Sequence, residues 1–236
     1  MDGDAAERVD AADGSDAVDT ARTYDRIAAH FAATREYAWP EVETFLAGRD
    51  DADGPRGRLA LDVGCGNGRH TELLADHAER VVGLDVSRGL LGEARARATE
   101  RGFDATFLQG DAAALPLRTE TVDLAVYVAA VHHLAPRARR VASLDELARV
   151  LTRGGRGLVS AWSTVHDRFT EQEDDRGFDT TVDWTLPGGE TVPRFYHIYA
   201  PAEFEADLDA SALVAHDVFV SSGNCYAVVG AGECPG

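Results

Sequence analysis

The run Leu61-Asp62-Val63-Gly64-Cys65-Gly66-Asn67-Gly68 constrains this chain more than any other: an apolar strand ends in glycines at every second position and passes straight into a helical pattern. Glycine lets a backbone take left-handed turns and approach a ligand closely. A GxGxxG dinucleotide loop would place its third glycine where Arg69 stands, so a nicotinamide or flavin fits less well. A tight strand-to-helix turn with no ligand is the plain alternative. Two further elements stand in order behind the loop. Asp85, 23 residues after Asp62, closes the next strand-like run, where a carboxylate accepts both hydroxyls of a ribose. Alone it would merely cap the following helix. Gly110-Asp111-Ala112 follows the third run, ahead of Leu115-Pro116-Leu117 and Val122-Asp123-Leu124.

Strand-like and helical patterns alternate through most of the chain. Leu59–Val63, Val81–Leu84, Ala105–Leu108, Leu124–Val128 and Gly157–Ala161 read as strands, and residues 68–77, 88–101 and 137–151 as helices. That alternation implies a parallel sheet in an α/β fold. In the third helix Val141, Leu144, Ala148 and Leu151 share a face, and Gly154-Gly155 is expected to close it. Val214–Val220 and Tyr226–Val229 flank Ser221-Ser222-Gly223-Asn224, a hairpin signal, so the sheet should finish antiparallel. Two lead-in helices precede the first strand, carried by Ile27, Ala28 and Phe31 and then by Val42, Phe45 and Leu46. Residues 1–20 hold seven acidic side chains and one arginine, and are expected to form a disordered acidic tail before a domain over 21–236. Residues 163–193 are polar and too long for a plain connection, which suggests a lid or substrate-facing insertion.

Charge and cysteine content narrow the setting. The chain has 41 acidic and 23 basic residues for a formal net charge of −18, and every basic residue is arginine. Such a balance resembles that of a halophile's proteins. It would repel RNA in dilute buffer, but in molar salt the Debye length is about 3 Å and remote charges hardly act. Cys65, Cys225 and Cys234 form no CxxC pair, which supports neither a disulfide framework nor a metal site. No run reaches the length of a membrane span, and the N-terminus is acidic, so a cytoplasmic protein is expected.

Taken together, the glycine loop, Asp85 and Asp111-Ala112 resemble the signature of class I S-adenosylmethionine-dependent methyltransferases. That resemblance implies a doubly wound, mostly parallel seven-stranded sheet with a C-terminal antiparallel hairpin. It also implies S-adenosylmethionine as cofactor, held by Asp62, Gly64, Cys65, Gly66, Gly68, Asp85, Val86, Asp111, Ala112 and Val128. Segments outside these motifs narrow the family. They are Tyr24–Phe31 with Thr34-Arg35 and Trp39-Pro40; Val131-His132-His133-Leu134 with Arg139-Arg140; Trp184–Gly189; Arg194-Phe195-Tyr196-His197; and Gly223-Asn224. Over about residues 22 to 230 the chain is similar to the tRNA uridine carboxymethyl methyltransferases. Val159-Ser160-Ala161-Trp162 is less apolar than that family's fifth strand, Cys225 stands where an aromatic residue is common, and the family's lysines are absent.

Esterifying a carboxymethyl group needs no general base, because a carboxylate with a pKa of about 4 is ionised near neutral pH. The site must instead hold the carboxylate at about 3 to 3.5 Å from the methyl group. Arg35 and Arg194 suit that task, since guanidinium grips carboxylate in a planar fork. His132, and after it His133, stand at the cleft mouth to orient or stack on the uracil. Trp39, Trp162, Tyr196 and His197 are further base-stacking candidates, and Arg139 and Arg140, beside Arg137, are candidates for phosphate contact. The resemblance implies tRNA and a small zinc-binding activator subunit as partners, the latter on the third strand with Phe103 and Phe107 as anchors. Competing readings are a methyltransferase for a small molecule and a non-catalytic cofactor-binding scaffold.

Overall fold

A computed structural model describes residues 15–48, 57–169 and 176–232. Strands of apolar residues buried on both faces form its centre, as a sheet covered by helices on each side requires. β1 (Gly57–Val63), β2 (Ala78–Asp85), β3 (Thr106–Gln109), β4 (Val122–Val128) and β5 (Leu151–Trp162) run parallel. β8 (Leu213–Ser221) and β9 (Asn224–Ala231) complete the sheet, with β9 antiparallel to both β5 and β8. The order β3-β2-β1-β4-β5-β9-β8 makes a seven-stranded doubly wound sheet with the expected C-terminal hairpin.

Alternate strand residues serve opposite layers. Leu61, Val63, Ala125 and Tyr127 face α5 (Arg137–Val150) and α6 (Pro201–Asp209) through Leu144, Leu147 and Phe204. Ala60, Leu124 and Val126 face α2 (Pro40–Ala47) and α3 (Arg69–Leu74) through Val42, Leu46 and Leu74. α1 (Ser15–Ala33) packs on α4 (Arg88–Arg101) through Ile27, Ala28 and Leu90. The helix thus begins within the stretch expected to form the acidic tail; residues 1–14 lie outside the described residues.

Two expectations change. Gly154-Gly155 does not close α5, which ends at Val150, with Leu151 already extended. Both glycines lie inside β5, where its pairing with β4 slips from Val122↔Leu151 to Leu124↔Arg156. A Cβ on Gly155 would sit 2.7 Å from the Val122 carbonyl oxygen, so close backbone approach is what this glycine serves. The insertion also holds regular structure: β6 (Phe178–Thr185) and β7 (Thr191–Ile198), which continues beyond it, form a separate antiparallel hairpin. Gly188 and Gly189, both at positive φ, make its turn. Within it Val182 and Val192 are buried between exposed neighbours, so its apolar residues are spaced singly along a polar segment.

Among the described residues no helix is long and apolar enough to cross a membrane. Cys65 and Cys225 are buried thiols, and Cys234 lies outside the described residues.

Candidate active site

A cavity of about 970 Å³ opens at the carboxyl ends of β1, β2 and β4, the usual ligand position in such sheets. Its floor is backbone. Gly64, Gly66 and Gly68 have φ of 69°, 55° and 79°, a left-handed sequence that side-chain-bearing residues resist. A Cβ on Gly64 would meet that of Ala130 at 2.4 Å, whereas one on Gly66 would project into the cavity toward the Phe31 ring, 3.9 Å away. Asp85 closes β2 beneath this loop. Its Oδ2 accepts the Gly66 N–H at 2.8 Å and its Oδ1 the Ser87 N–H at 2.9 Å. Burial pushes its carboxyl up to about 6 despite those bonds.

Of the residues expected around the cofactor, Gly64, Cys65, Gly66, Asp85, Val86, Asp111, Ala112 and Val128 line the cavity. Asp62 and Gly68 do not. Asp62 is buried under the loop, accepts the Thr71 hydroxyl at 2.6 Å, and is pushed up to about 7 by burial. Gly68 caps α3 and packs on Ala94, with room for a Cβ only at 3.3 Å. Both support the loop from behind. Asp111 accepts the Ala113 N–H at 2.9 Å and pairs with Arg139 at 2.5 Å.

The opposite wall is made of side chains from elements distant in sequence. Tyr24 and Phe31 come from α1, His132 and His133 from a 3-10 turn after β4, and Trp162 from the end of β5. Trp184 comes from β6, with Arg194 and Tyr196 from β7. Trp162 and Tyr196 stack with centroids 4.8 Å apart at 17°. Hydrogen-bond polarity fixes both histidines. His133 Nδ1 lies 2.8 Å from the Phe195 carbonyl and must donate, so Nε2 accepts from the Tyr24 hydroxyl at 2.9 Å. His132 Nδ1 accepts the Trp162 N–H at 2.9 Å, which leaves the proton of the neutral ring on Nε2, a buried atom with no partner. Burial holds His133 down to about 4 and His132 well below the ordinary value. Both are neutral at physiological pH.

Arg194 is the exception to this neutral wall. It is 6% exposed, donates to the Tyr196 hydroxyl at 2.6 Å, and lies over the Trp184 and Tyr196 rings at 4.9 and 5.1 Å. Its Nε has no partner, and among the described residues no carboxylate lies within ion-pair distance. Arg35 lines the mouth over Phe31 and Trp184, at 5.2 and 5.5 Å.

Two expected substrate contacts lie elsewhere. Strand alternation that turns Arg194 and Tyr196 into the cavity turns His197 away, where Asp179 (2.6 Å) and Glu203 (3.0 Å) take both its ring nitrogens. Arg140 is buried between Glu203 at 3.8 Å and Asp207 at 3.6 Å, and Asp207 also binds Arg137 at 2.5 Å. The basic cluster expected on the rim is therefore divided among internal carboxylates. Tyr24, Phe31 and Trp184 were not among the expected site residues; their aromatic character within the resembling segments was the available signal.

Residues 60–155 match the family described as a methyltransferase domain. An Encephalitozoon cuniculi protein named as a methyltransferase is 34% identical over 181 residues, 75% of this chain and 79% of that protein. The chain belongs to the S-adenosylmethionine-dependent methyltransferases. Its glycine cradle, open where a Gly66 side chain would project, and its buried Asp85 fit that cofactor. The tRNA (carboxymethyluridine(34)-5-O)-methyltransferase alkbh8 of Xenopus tropicalis is 38% identical over 142 residues, 60% of this methyltransferase. This chain spans only 20% of that relative's length. Among solved structures, the Haloferax volcanii complex of the Trm112 methyltransferase activator with a methyltransferase shares the fold. There the TM-score is 0.65 at 18% identity, over 92% of this chain and 99% of that one.

Proposed function

We propose that this methyltransferase esterifies the carboxylate of 5-carboxymethyluridine at the tRNA wobble position. The observation that carries the reading is Arg194: a buried guanidinium with an unpartnered Nε, among rings and beside the cofactor cradle. A buried cation without a counter-charge is costly, and an anionic acceptor would supply one. The relatives named for carboxymethyluridine methylation point to the same acceptor group.

In this reading the cofactor, when bound, would supply an electrophilic methyl group with a neutral thioether as leaving group. Asp85 would hold its ribose, Asp111 and the Ala112 backbone its adenine, and the glycine loop its methionine part. Arg194 binds the acceptor oxygen that does not attack, leaving the other free to take the methyl; gripping both would damp the nucleophile. Trp162, Tyr196 and His133 flank the uracil, and His132 offers its Nε2–H to a uracil oxygen. Arg35 guides the carboxylate at the mouth and Arg139 lies on the adenine side. No proton moves, which agrees with two histidines held neutral by burial.

The activator subunit would pair with β3, which ends the sheet. Phe107 is not its anchor: the ring is turned inward, where it fills the space that a Gly83 side chain would need. Phe103 is only partly buried and stays a candidate. A second reading is favoured by the ion pairs of Arg137, Arg139 and Arg140, which leave none of these three cations free for phosphate: the acceptor is then a small carboxylic acid. Mass spectrometry of wobble nucleosides from cells with and without the gene separates the two. Loss of the methyl ester with accumulation of free carboxymethyluridine supports the tRNA reading; an unchanged profile moves the acceptor to a small molecule.

A further inference from the structure

The segment between α1 and α2 runs along the mouth of the cavity and is held there by three successive carbonyls. Asn67 Nδ2 donates to the Arg35 carbonyl at 2.8 Å, Arg97 Nη2 to that of Glu36 at 2.7 Å, and Arg69 Nη1 to that of Tyr37 at 3.3 Å. The Glu36 carboxylate is drawn aside by Arg101 at 3.3 Å. On this stapled backbone Tyr37 is 78% exposed, the most exposed large apolar side chain among the described residues, and it lines the cavity. Exposed aromatics are common on mobile loops, but here the backbone beneath the ring is fixed. Fixing a contact group in advance lowers the entropy cost of binding.

The charges beside Tyr37 differ from those around them. Arg97 and Arg101 pair with Glu72 and Glu36, and Arg139 with Asp111. Arg35, two residues before Tyr37, and Arg69, which holds the Tyr37 carbonyl, both line the cavity and have no carboxylate within ion-pair distance among the described residues. In a chain of net charge −18, two cations left open beside a bare aromatic ring mark where an anion is admitted.

We propose that Tyr37 is a stacking platform for the base next to the modified nucleotide in a single-stranded RNA loop, with Arg69 on the intervening phosphate. This rests on the RNA reading of the acceptor and assigns the neighbouring subsite. Stacking suits it because every base offers a π-face, and because loop bases are splayed out where a side chain reaches them.

The test is the affinity of the full chain for an anticodon stem-loop RNA, measured by fluorescence anisotropy for wild type, Tyr37→Ala and Tyr37→Trp, with cofactor affinity as the control. Tyr37→Ala should weaken stem-loop binding about tenfold, Tyr37→Trp should restore it, and cofactor affinity should stay constant. Equal binding by wild type and Tyr37→Ala overturns the platform, as does a wild type that does not bind the stem-loop. A wild type that binds in a Tyr37-dependent way yet esterifies no carboxymethyluridine stem-loop upholds the platform and sinks the reaction instead.

Discussion

The two walls of the cavity are built on opposite plans. The donor wall is backbone and carboxylate, contributed by consecutive turns after β1, β2 and β3, so each part sits within a few residues of a strand end. The proposed acceptor wall is aromatic and cationic, assembled from Tyr24, His132, Trp162 and Arg194, which share no local frame. A sulfonium nucleoside is the same in every S-adenosylmethionine-dependent methyltransferase, and local turns at strand ends are suited to hold it. An acceptor must be surrounded from several directions, and only elements that meet in the folded chain do so.

Breaking the donor wall should have the largest effect. Asp85→Ala removes the acceptor of two buried N–H groups and the expected ribose ligand, and should weaken cofactor binding at least about a hundredfold by titration calorimetry. An unchanged affinity would mean that the glycine loop holds itself. The counterpart on the acceptor wall is Arg194→Ala, which should lower kcat/KM about a hundredfold with cofactor affinity intact. Joint loss of both would erase the distinction between the walls.

A smaller effect sharpens the electrostatics. If Asp85 is the proposed ribose ligand, its ionised form would accept the hydroxyls, so cofactor affinity should rise with pH to about 6 and level off above. Below that point each unit of pH should cost up to about tenfold in affinity, and Asp85→Asn should flatten the profile. The same shift has the opposite sign for stability. Because the folded carboxyl binds its proton more tightly than its ordinary value of 3.8 implies, the stability it contributes is lost as pH rises from there to about 6. Thermal melts and cofactor titrations should therefore move in opposite directions across that window.

The smallest expected effect lies behind the acceptor wall. His197→Ala cuts the link from β7 to Asp179 and Glu203 and should lower unfolding stability by about 1 to 2 kcal/mol in urea melts. Acceptor KM should rise a few fold while cofactor binding stays constant. A large loss of kcat instead would return His197 to the site.

The donor wall was legible residue by residue because its determinants are short-range: a glycine after a strand, a carboxylate at a strand end. Even there Asp62 and Gly68 read as contacts although they lie behind the loop, since spacing gives proximity and not the direction in which a side chain points. On the other wall Arg194 and Tyr196 line the cavity, whereas His197, assigned with them, does not. Recognition of β7 would have separated them, because neighbours along a strand face opposite ways. That strand was hidden because Pro193 and Arg194 interrupt its apolar residues and its start falls at the end of a segment that composition assigns to an insertion. Arg140 misled for a related reason: a basic run reads as solvated, while Glu203 and Asp207, which bury it, are contributed by a helix far along the chain.

By itself the sequence determined the layered α/β architecture, the position of the glycine loop and the antiparallel finish, because period and turn chemistry are local properties. Only the tertiary structure decided which arginines lack a carboxylate, which histidine nitrogen is unpartnered, and that Tyr37 stands bare on a fixed backbone. Those are properties of pairing, and pairing exists only once residues far apart in the chain have been brought together.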